Sequence, residues 1–288
     1  MGSAVEPPVE SPRDLAAAYA LLAAPGGPWR PVAGGTDLMV QLAGDQAEPP
    51  ERVLDIWGLD ELRGISLDGD VLDVGALVTY AEIRDSAVIA EFLPALVACA
   101  ATIGAAQIQN RGTIGGNVIN ASPAGDTLPI LLATGTTFVL GSAAGTRSVP
   151  ADAFWTGYRT TERRDDELLL RIRIPVGPAH QVRMRKVGTR RAQAISKVVM
   201  ALAWRGEDGE PWTDVRLALG SVAATTIRAA ATERVLEAAL PSREVADAAA
   251  AALADELDPI DDVRSTADYR RAVAGRVLHR LIRDEGGW

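Results

Sequence analysis

Apolar residues fall on helical spacing early in the chain. Leu15, Ala18, Tyr19 and Leu22 recur at intervals of three and four, the stripe by which a helix faces a core. Ser11-Pro12-Arg13-Asp14 in front of them predicts the helix start, with Ser11 as the cap, and Pro25-Gly26-Gly27 predicts its stop. The stretch "WRPVAGGTDLMVQLAG" (29–44) is apolar at both ends and turns in its middle. "RVLDI" (52–56) and "VLDVGALVTY" (71–80) read as strands. Helical composition then runs over Tyr80–Asp85 and Pro94–Ala106, "LPILLAT" (128–134) reads as a short helix or turn, and "TFVLGS" (137–142) and "DELLLRIRIP" (166–175) read as strands. Two prolines and a glycine between Pro175 and Pro178 break regular structure and mark a domain boundary. Beyond it, "VRMRKV", "SKVVMALAWR" and "WTDVRLALGSV" predict an antiparallel sheet, followed by three helices. One is the alanine-rich run Ala246–Ala254; the last, from Thr266, carries Tyr269, Val273, Val277 and Leu281 at every fourth position. Strands followed by helices give an α+β pattern.

Two polar, glycine-rich stretches interrupt this alternation. In "VAGGTDL" (32–38), Gly34 and Gly35 permit positive φ and leave no Cβ in the way. Successive amides can then converge on one anion, with the Thr36 hydroxyl beside them; an ordinary turn explains the same residues. In "GTIGGNVINASPAGD" (112–126), Thr113, Gly115, Gly116 and Asn117 offer a second loop of small groups and donors. Asp126 can accept from a ribose or an isoalloxazine N–H, or cap the turn at Thr127-Leu128-Pro129. Neither stretch has the G-x-G-x-x-G or Gly-Lys-Ser/Thr spacing of the common nucleotide scaffolds. Two such loops, far apart in sequence, can still clamp one pyrophosphate from two sides.

Composition narrows the chemistry. The chain has 288 residues, 48% of them hydrophobic, enough for two domains or one large one, and a net charge of −9. An acidic balance argues against a nucleic-acid binder. One cysteine, Cys99, excludes an internal disulfide and an iron–sulfur cluster or cysteine-based zinc site held by this chain alone. In an alanine-rich helix it reads as a buried structural thiol. His180 and His279 are too few and too far apart for a histidine metal site. No apolar run reaches membrane-spanning length, and "MGSAVEPPVESPRD" has no basic region of a secretory signal, so a cytoplasmic protein without membrane insertion is expected.

"VAGGTDL", "RGTIGGNVINASPAGDTLP", "GYRTTERRDDELLLRIRIP" and "RKVGTRRAQAISKV" occur in this order over nearly the whole chain. In this the chain resembles the FAD-binding medium subunit of the xanthine dehydrogenase and carbon monoxide dehydrogenase family of molybdenum hydroxylases. The resemblance implies an α+β fold: a two-subdomain FAD-binding domain of the vanillyl-alcohol-oxidase (PCMH) type over residues 1–177, and a smaller C-terminal domain, an antiparallel sheet with helices, over 178–288. It implies FAD, with Val32, Ala33, Gly34, Gly35, Thr36, Asp37 and Leu38 and Thr113, Ile114, Gly115, Gly116 and Asn117 at the diphosphate; binding is expected to be non-covalent, since no His or Cys lies in either glycine loop to tether the ring. Asp126 is then expected at the cofactor's polar portion, Ile172 and Lys186 near the flavin ring, and Gly104 near the adenosine. No catalytic acid, base or metal ligand is expected here. The implied role is electron transfer: a large molybdopterin-binding subunit oxidises the substrate, a small subunit with two [2Fe–2S] clusters relays electrons, and this subunit's FAD passes them to an external acceptor, in a heterotrimer or its dimer. The carbon monoxide dehydrogenase type often has a histidine where Thr36 stands, and an aromatic residue where Thr189-Arg190-Arg191 follows Lys186. Both departures resemble the xanthine, aldehyde or N-heterocycle branch.

Arg183, Arg185, Lys186, Arg190 and Arg191 cluster within this acidic chain. On residues alone they read as a solvated strand edge; with the resemblance, Lys186 alone is expected to act, as a positive charge beside the flavin worth about 1–4 kcal/mol at ~4 Å. Tyr158 stacks on a ring or packs in the core. Two other readings fit the same sequence: a self-sufficient FAD-dependent reductase of the same fold, and a non-enzymatic nucleotide-binding or assembly module.

Overall fold

The computed structural model describes residues 7–26, 28–44, 48–177, 180–207 and 209–288. The first six residues, Gly27 at the expected helix stop and Pro178 at the expected boundary lie outside them.

The chain begins with β1 (Val9–Glu10), α1 (Leu15–Ala23), β2 (Arg30–Val32), α2 (Leu38–Ala43) and β3 (Val53–Asp55). There follow β4 (Ile65–Asp68), β5 (Val71–Gly75), α3 (Tyr80–Asp85), α4 (Ala87–Phe92), α5 (Pro94–Ala100), α6 (Ala106–Gln109), α7 (Ile114–Asn120) and α8 (Leu128–Ala133). Then come β6 (Thr137–Ser142), β7 (Gly145–Pro150), the hairpin β8 (Trp155–Gly157) and β9 (Thr160–Thr161), and β10 (Leu168–Pro175). The last part holds β11 (His180–Val187), β12 (Val198–Arg205), β13 (Thr213–Gly220), β14 (Ile227–Arg228), α9 (Ala230–Leu236), α10 (Arg243–Glu256) and α11 (Ala267–Gly286).

A small parallel sheet, β1-β3-β2, and a five-stranded antiparallel sheet, β4-β5-β10-β6-β7, build the first two lobes. Strand β10 serves both. Leu168 and Leu170 pack with Trp29, Leu54 and Leu77 in the small lobe, whereas Leu169, Ile172 and Ile174 pack with Phe138 and the helices α3, α4, α5, α7 and α8. A bulge between Leu169 and Arg171 re-aims the strand where the lobes meet. The third sheet, β11-β12-β13-β14, is antiparallel. Its second strand, β12, is buried on both faces: Met200, Leu202 and Trp204 meet the terminal helices, while the small Ala201 and Ala203 leave room for the core of the second lobe.

Some expected boundaries shift. Helix α1 is capped by Asp14, whose carboxylate accepts from Ala17 N at 2.8 Å, and starts three residues after the expected proline; Ser11 reaches Asp55 instead. The helix expected to run to Ala106 ends at Ala100, because the Thr102 hydroxyl donates to the Cys99 carbonyl at 2.9 Å and Gly104 adopts φ 59°. On α11 the buried face is Arg270, Ala274, Leu278, Leu281 and Ile282; Val273 and Val277 flank it and Tyr269 is exposed. A strict four-residue repeat drifts about 40° per step around a 3.6-residue helix. Cys99 is fully buried, and burial pushes its thiol up. Tyr158 is 65% exposed, so it does not pack in the core.

Candidate functional site

A cavity of ≈ 700 Å³ opens where the small lobe meets α7, α3 and the start of β10, a size that suits a nucleotide cofactor. Its polar wall is the turn after β2. A Cβ on Gly34 would collide with the carbonyl oxygen of Arg111, so this position admits only glycine, and the turn lies directly on the segment that leads into α7. Gly35 has room for a Cβ, with Met39 Cγ the nearest atom at 3.7 Å, but adopts φ 71°. Of the two glycines only Gly35 is needed for positive φ; Gly34 is needed for the close approach. The amides of Gly34, Gly35 and Thr36 donate to no acceptor among the described residues. Val32, Ala33, Thr36, Asp37 and Leu38 complete this wall, and Asp37 accepts from Gln41.

The second glycine stretch is a helix, not the expected loop. Thr113 caps α7, its hydroxyl accepting from Gly116 N at 3.0 Å. Ile114 N donates to Val78 O and Gly115 N to Ala76 O, both at 3.0 Å, and Asn117 N to Thr113 O at 3.1 Å. These amides are therefore already occupied. The glycines serve packing: a Cβ on Gly115 would sit 2.5 Å from Ala76 O. Thr113, Gly115, Gly116, Asn117 and Asn120 face the cavity with small surfaces and side chains, and Asn117 accepts from the Thr127 hydroxyl at 2.6 Å.

The remaining expected residues lie behind the wall. Ile114 and Ile172 are fully buried in the core. Gly104 forms the left-handed turn before α6, packed on Ile108, while its neighbour Ile103 reaches the cavity. Asp126 caps nothing: it binds the Lys186 ammonium at 2.5 Å and accepts from the Ser196 hydroxyl, with Asp126 and Lys186 side chains 10% and 7% exposed. Lys186 is thus neither a solvated edge lysine nor a lone positive charge, since Asp126 neutralises it. Among its neighbours Arg183 pairs with Glu285, Arg185 lies 3.8 Å from Asp284, and Arg190 and Arg191 are exposed.

Several lining groups escaped the sequence reading. Arg163, on the approach to β10, donates to the carbonyls of Arg164 at 2.6 Å and Glu167 at 2.9 Å, and burial lowers its pKa. Its only carboxylate within ion-pair reach among the described residues is exposed Asp165, at 3.8 Å. Trp29 and Tyr80 also line the cavity, and Trp29 Nε1 and the Tyr80 hydroxyl have no hydrogen-bond partner among the described residues; burial pushes the Tyr80 phenol up. In the sequence these were one arginine in a charged run and two aromatics in core-like patterns. Free amides, a poorly compensated guanidinium and an apolar remainder (Leu77, Ile103, Ile108, Ile119) suit a ligand with an anionic middle and flat ends. FAD fits that description. Among the described residues no three His, Cys, Asp or Glu side chains come together as a metal site would need.

Residues 4–177 match the family model of the FAD binding domain in molybdopterin dehydrogenase, and residues 183–284 that of the CO dehydrogenase flavoprotein C-terminal domain. The carbon monoxide dehydrogenase medium chain of Hydrogenophaga pseudoflava is 32% identical over 94% of both chains. The xanthine dehydrogenase FAD-binding subunit of Escherichia coli O157:H7 is 29% identical over 89% of both. A solved carbon monoxide dehydrogenase from Hydrogenophaga pseudoflava, one that lacks the Mo-pyranopterin moiety of the molybdenum cofactor, matches with a TM-score of 0.90 at 31% identity, covering 96% of both chains.

Proposed function

The chain belongs to the FAD-binding medium subunits of the molybdopterin dehydrogenases, the carbon monoxide and xanthine dehydrogenase type, and from that premise we propose that it is the electron-transfer subunit of a heteromeric molybdenum hydroxylase. The observation that carries this reading is the turn at Gly34–Thr36, whose three amides have no acceptor among the described residues and lie on the wall of a cofactor-sized cavity. They hold the FAD diphosphate, with Arg163 supplying charge. Thr113, Gly116 and Asn117 contribute side chains and a close surface rather than amides. Lys186 and Asp126 act as a neutral, rigid pair behind the flavin end, with Ile172 and Ile114 packing that wall and Gly104 setting the turn that carries Ile103. FAD, when bound, supplies the redox chemistry; the chain binds it, orients it and keeps water from its buried faces.

Electrons come from partners in this reading, because the single cysteine cannot ligate a cluster. The partners are a large molybdopterin-binding subunit and a small subunit with two [2Fe–2S] clusters, and the final acceptor is external. Thr36 and the absence of an aromatic residue after Lys186 favour the xanthine, aldehyde or N-heterocycle branch. The division at residue 177 and a cytoplasmic location belong to the same proposal; no helix among the described residues is long and apolar enough to cross a membrane. The test is the visible spectrum and metal content of the purified full chain. From the chain purified by itself a flavin band near one FAD per chain and no iron are expected, and from its native complex co-purification with two further subunits that carry the iron; a colourless chain overturns the reading.

A further inference from the structure

The β8–β9 hairpin turns through Tyr158 and Arg159, and Arg159 adopts φ 53°. Glycine or asparagine is the usual occupant of a left-handed turn position, because a larger side chain strains the backbone there. What the arginine gains is at the far end of its side chain. Its Nη1 donates to Asn120 Oδ1 at 2.6 Å and lies 3.4 Å from Asp37 Oδ2. Asp37 follows the glycine turn and Asn120 ends α7, so one amino group joins the two segments that wall the cavity. The hairpin that carries it is anchored: Trp155 Nε1 donates to Val118 O at 3.0 Å, and its ring packs edge-on against Phe138 and Phe154.

We propose that Arg159 is the clasp of the cofactor cavity, a positioning residue that ties Asp37 to Asn120 and slows release of the bound dinucleotide. This rests on the reading that the cavity holds FAD. A strained backbone retained for one side chain is the pattern of a functional position. The Asp37 arm is half-exposed and weakens with salt, whereas the neutral Asn120 arm does not.

The test uses the full chain and reads two quantities, the FAD release rate by flavin fluorescence and the thermal midpoint of the apoprotein. Arg159→Gly relieves the turn and removes the clasp. It is expected to leave the apo midpoint unchanged or raised while FAD leaves about ten-fold faster, the scale of one charge-assisted hydrogen bond. Arg159→Lys keeps the charge and recovers part of the wild-type rate. Asn120→Ala added to Arg159→Gly speeds release little further. Wild-type release from Arg159→Gly overturns the clasp, as does a fall in the apo midpoint that parallels the loss of FAD. If the wild-type chain takes up no FAD, the clasp and the cofactor reading fall together; if it loads and Arg159→Gly retains FAD equally, the clasp alone falls.

Discussion

Gly34 and Gly35 are adjacent and serve different ends. A methyl group on Gly34 collides with the Arg111 carbonyl, so Gly34→Ala must push the turn off α7; a methyl on Gly35 meets nothing closer than 3.7 Å and costs only the left-handed backbone, about 1–2 kcal/mol. Gly34→Ala is therefore expected to abolish flavin binding in the purified chain, and Gly35→Ala to reduce it, measured as flavin absorbance per chain. The pair was legible as a special turn in sequence, but the division of labour was not, because only the fold brings Arg111 against residue 34. Asp126 shows the same limit. Its capping and cofactor readings were both open in sequence, and neither predicts a buried contact 60 residues away. Asp126→Asn strands the buried Lys186 ammonium and is expected to cost about 3–5 kcal/mol in denaturant unfolding; Lys186→Met added to it restores much of that loss. If the single and double variants are equally destabilised, the pair does not carry its own charge balance.

Helix α7 is the element whose identity the sequence hid. Two glycines in seven residues count against a helix. The helix forms because Thr113 caps it and because Ala76 and Val78 accept its first amides, contacts that exist only after β5 is in place. Thr113→Val keeps the shape and removes the cap, with an expected loss of about 1 kcal/mol in stability and a shift in the flavin spectrum as the cavity wall loosens. Strands β10, β12 and β13 were legible from their apolar runs, and β11 from the alternation of apolar and basic residues in "VRMRKV". At the entry to β10, Glu167 is held by Arg147 of β7 through two hydrogen bonds, at 2.6 and 2.8 Å, which lower its pKa. A carboxylate whose folded pKa is depressed contributes stability that is present above its unfolded value, near 4.3, and lost as pH falls through the folded one. Glu167→Gln is accordingly expected to flatten the acid limb of the stability curve below about pH 4.5, read as thermal midpoint against pH. An unchanged slope would show that this contact does not govern acid unfolding.

At the scale of the whole molecule, the two family-matched parts are joined by more than a linker. Val182, Ala201, Ala203 and Ala218 of the C-terminal sheet belong to the same buried cluster as Phe138, Leu131 and Ile172 of the FAD lobe. Ser221 N donates to Pro123 O at 2.7 Å, and Asp126 reaches both Lys186 and Ser196 across the seam. The break between Pro175 and Pro178 was visible in composition; the shared core was not, because alternation of small and large residues along β12 does not say what covers the small face. The consequence can be measured. A chain ending at residue 177 loses that cover, and each large apolar side chain so exposed forfeits up to about 1.5–3 kcal/mol. A few of them equal the 5–15 kcal/mol that holds a typical domain together. Asp126 also loses its ammonium partner behind the proposed flavin end. Residues 1–177 expressed alone are therefore expected to be aggregated or lacking fixed tertiary structure by near-ultraviolet circular dichroism, and to carry no flavin. A folded fragment that binds FAD as tightly as the full chain would show that the C-terminal part is an appendage, and that the cavity is completed by the first two lobes alone.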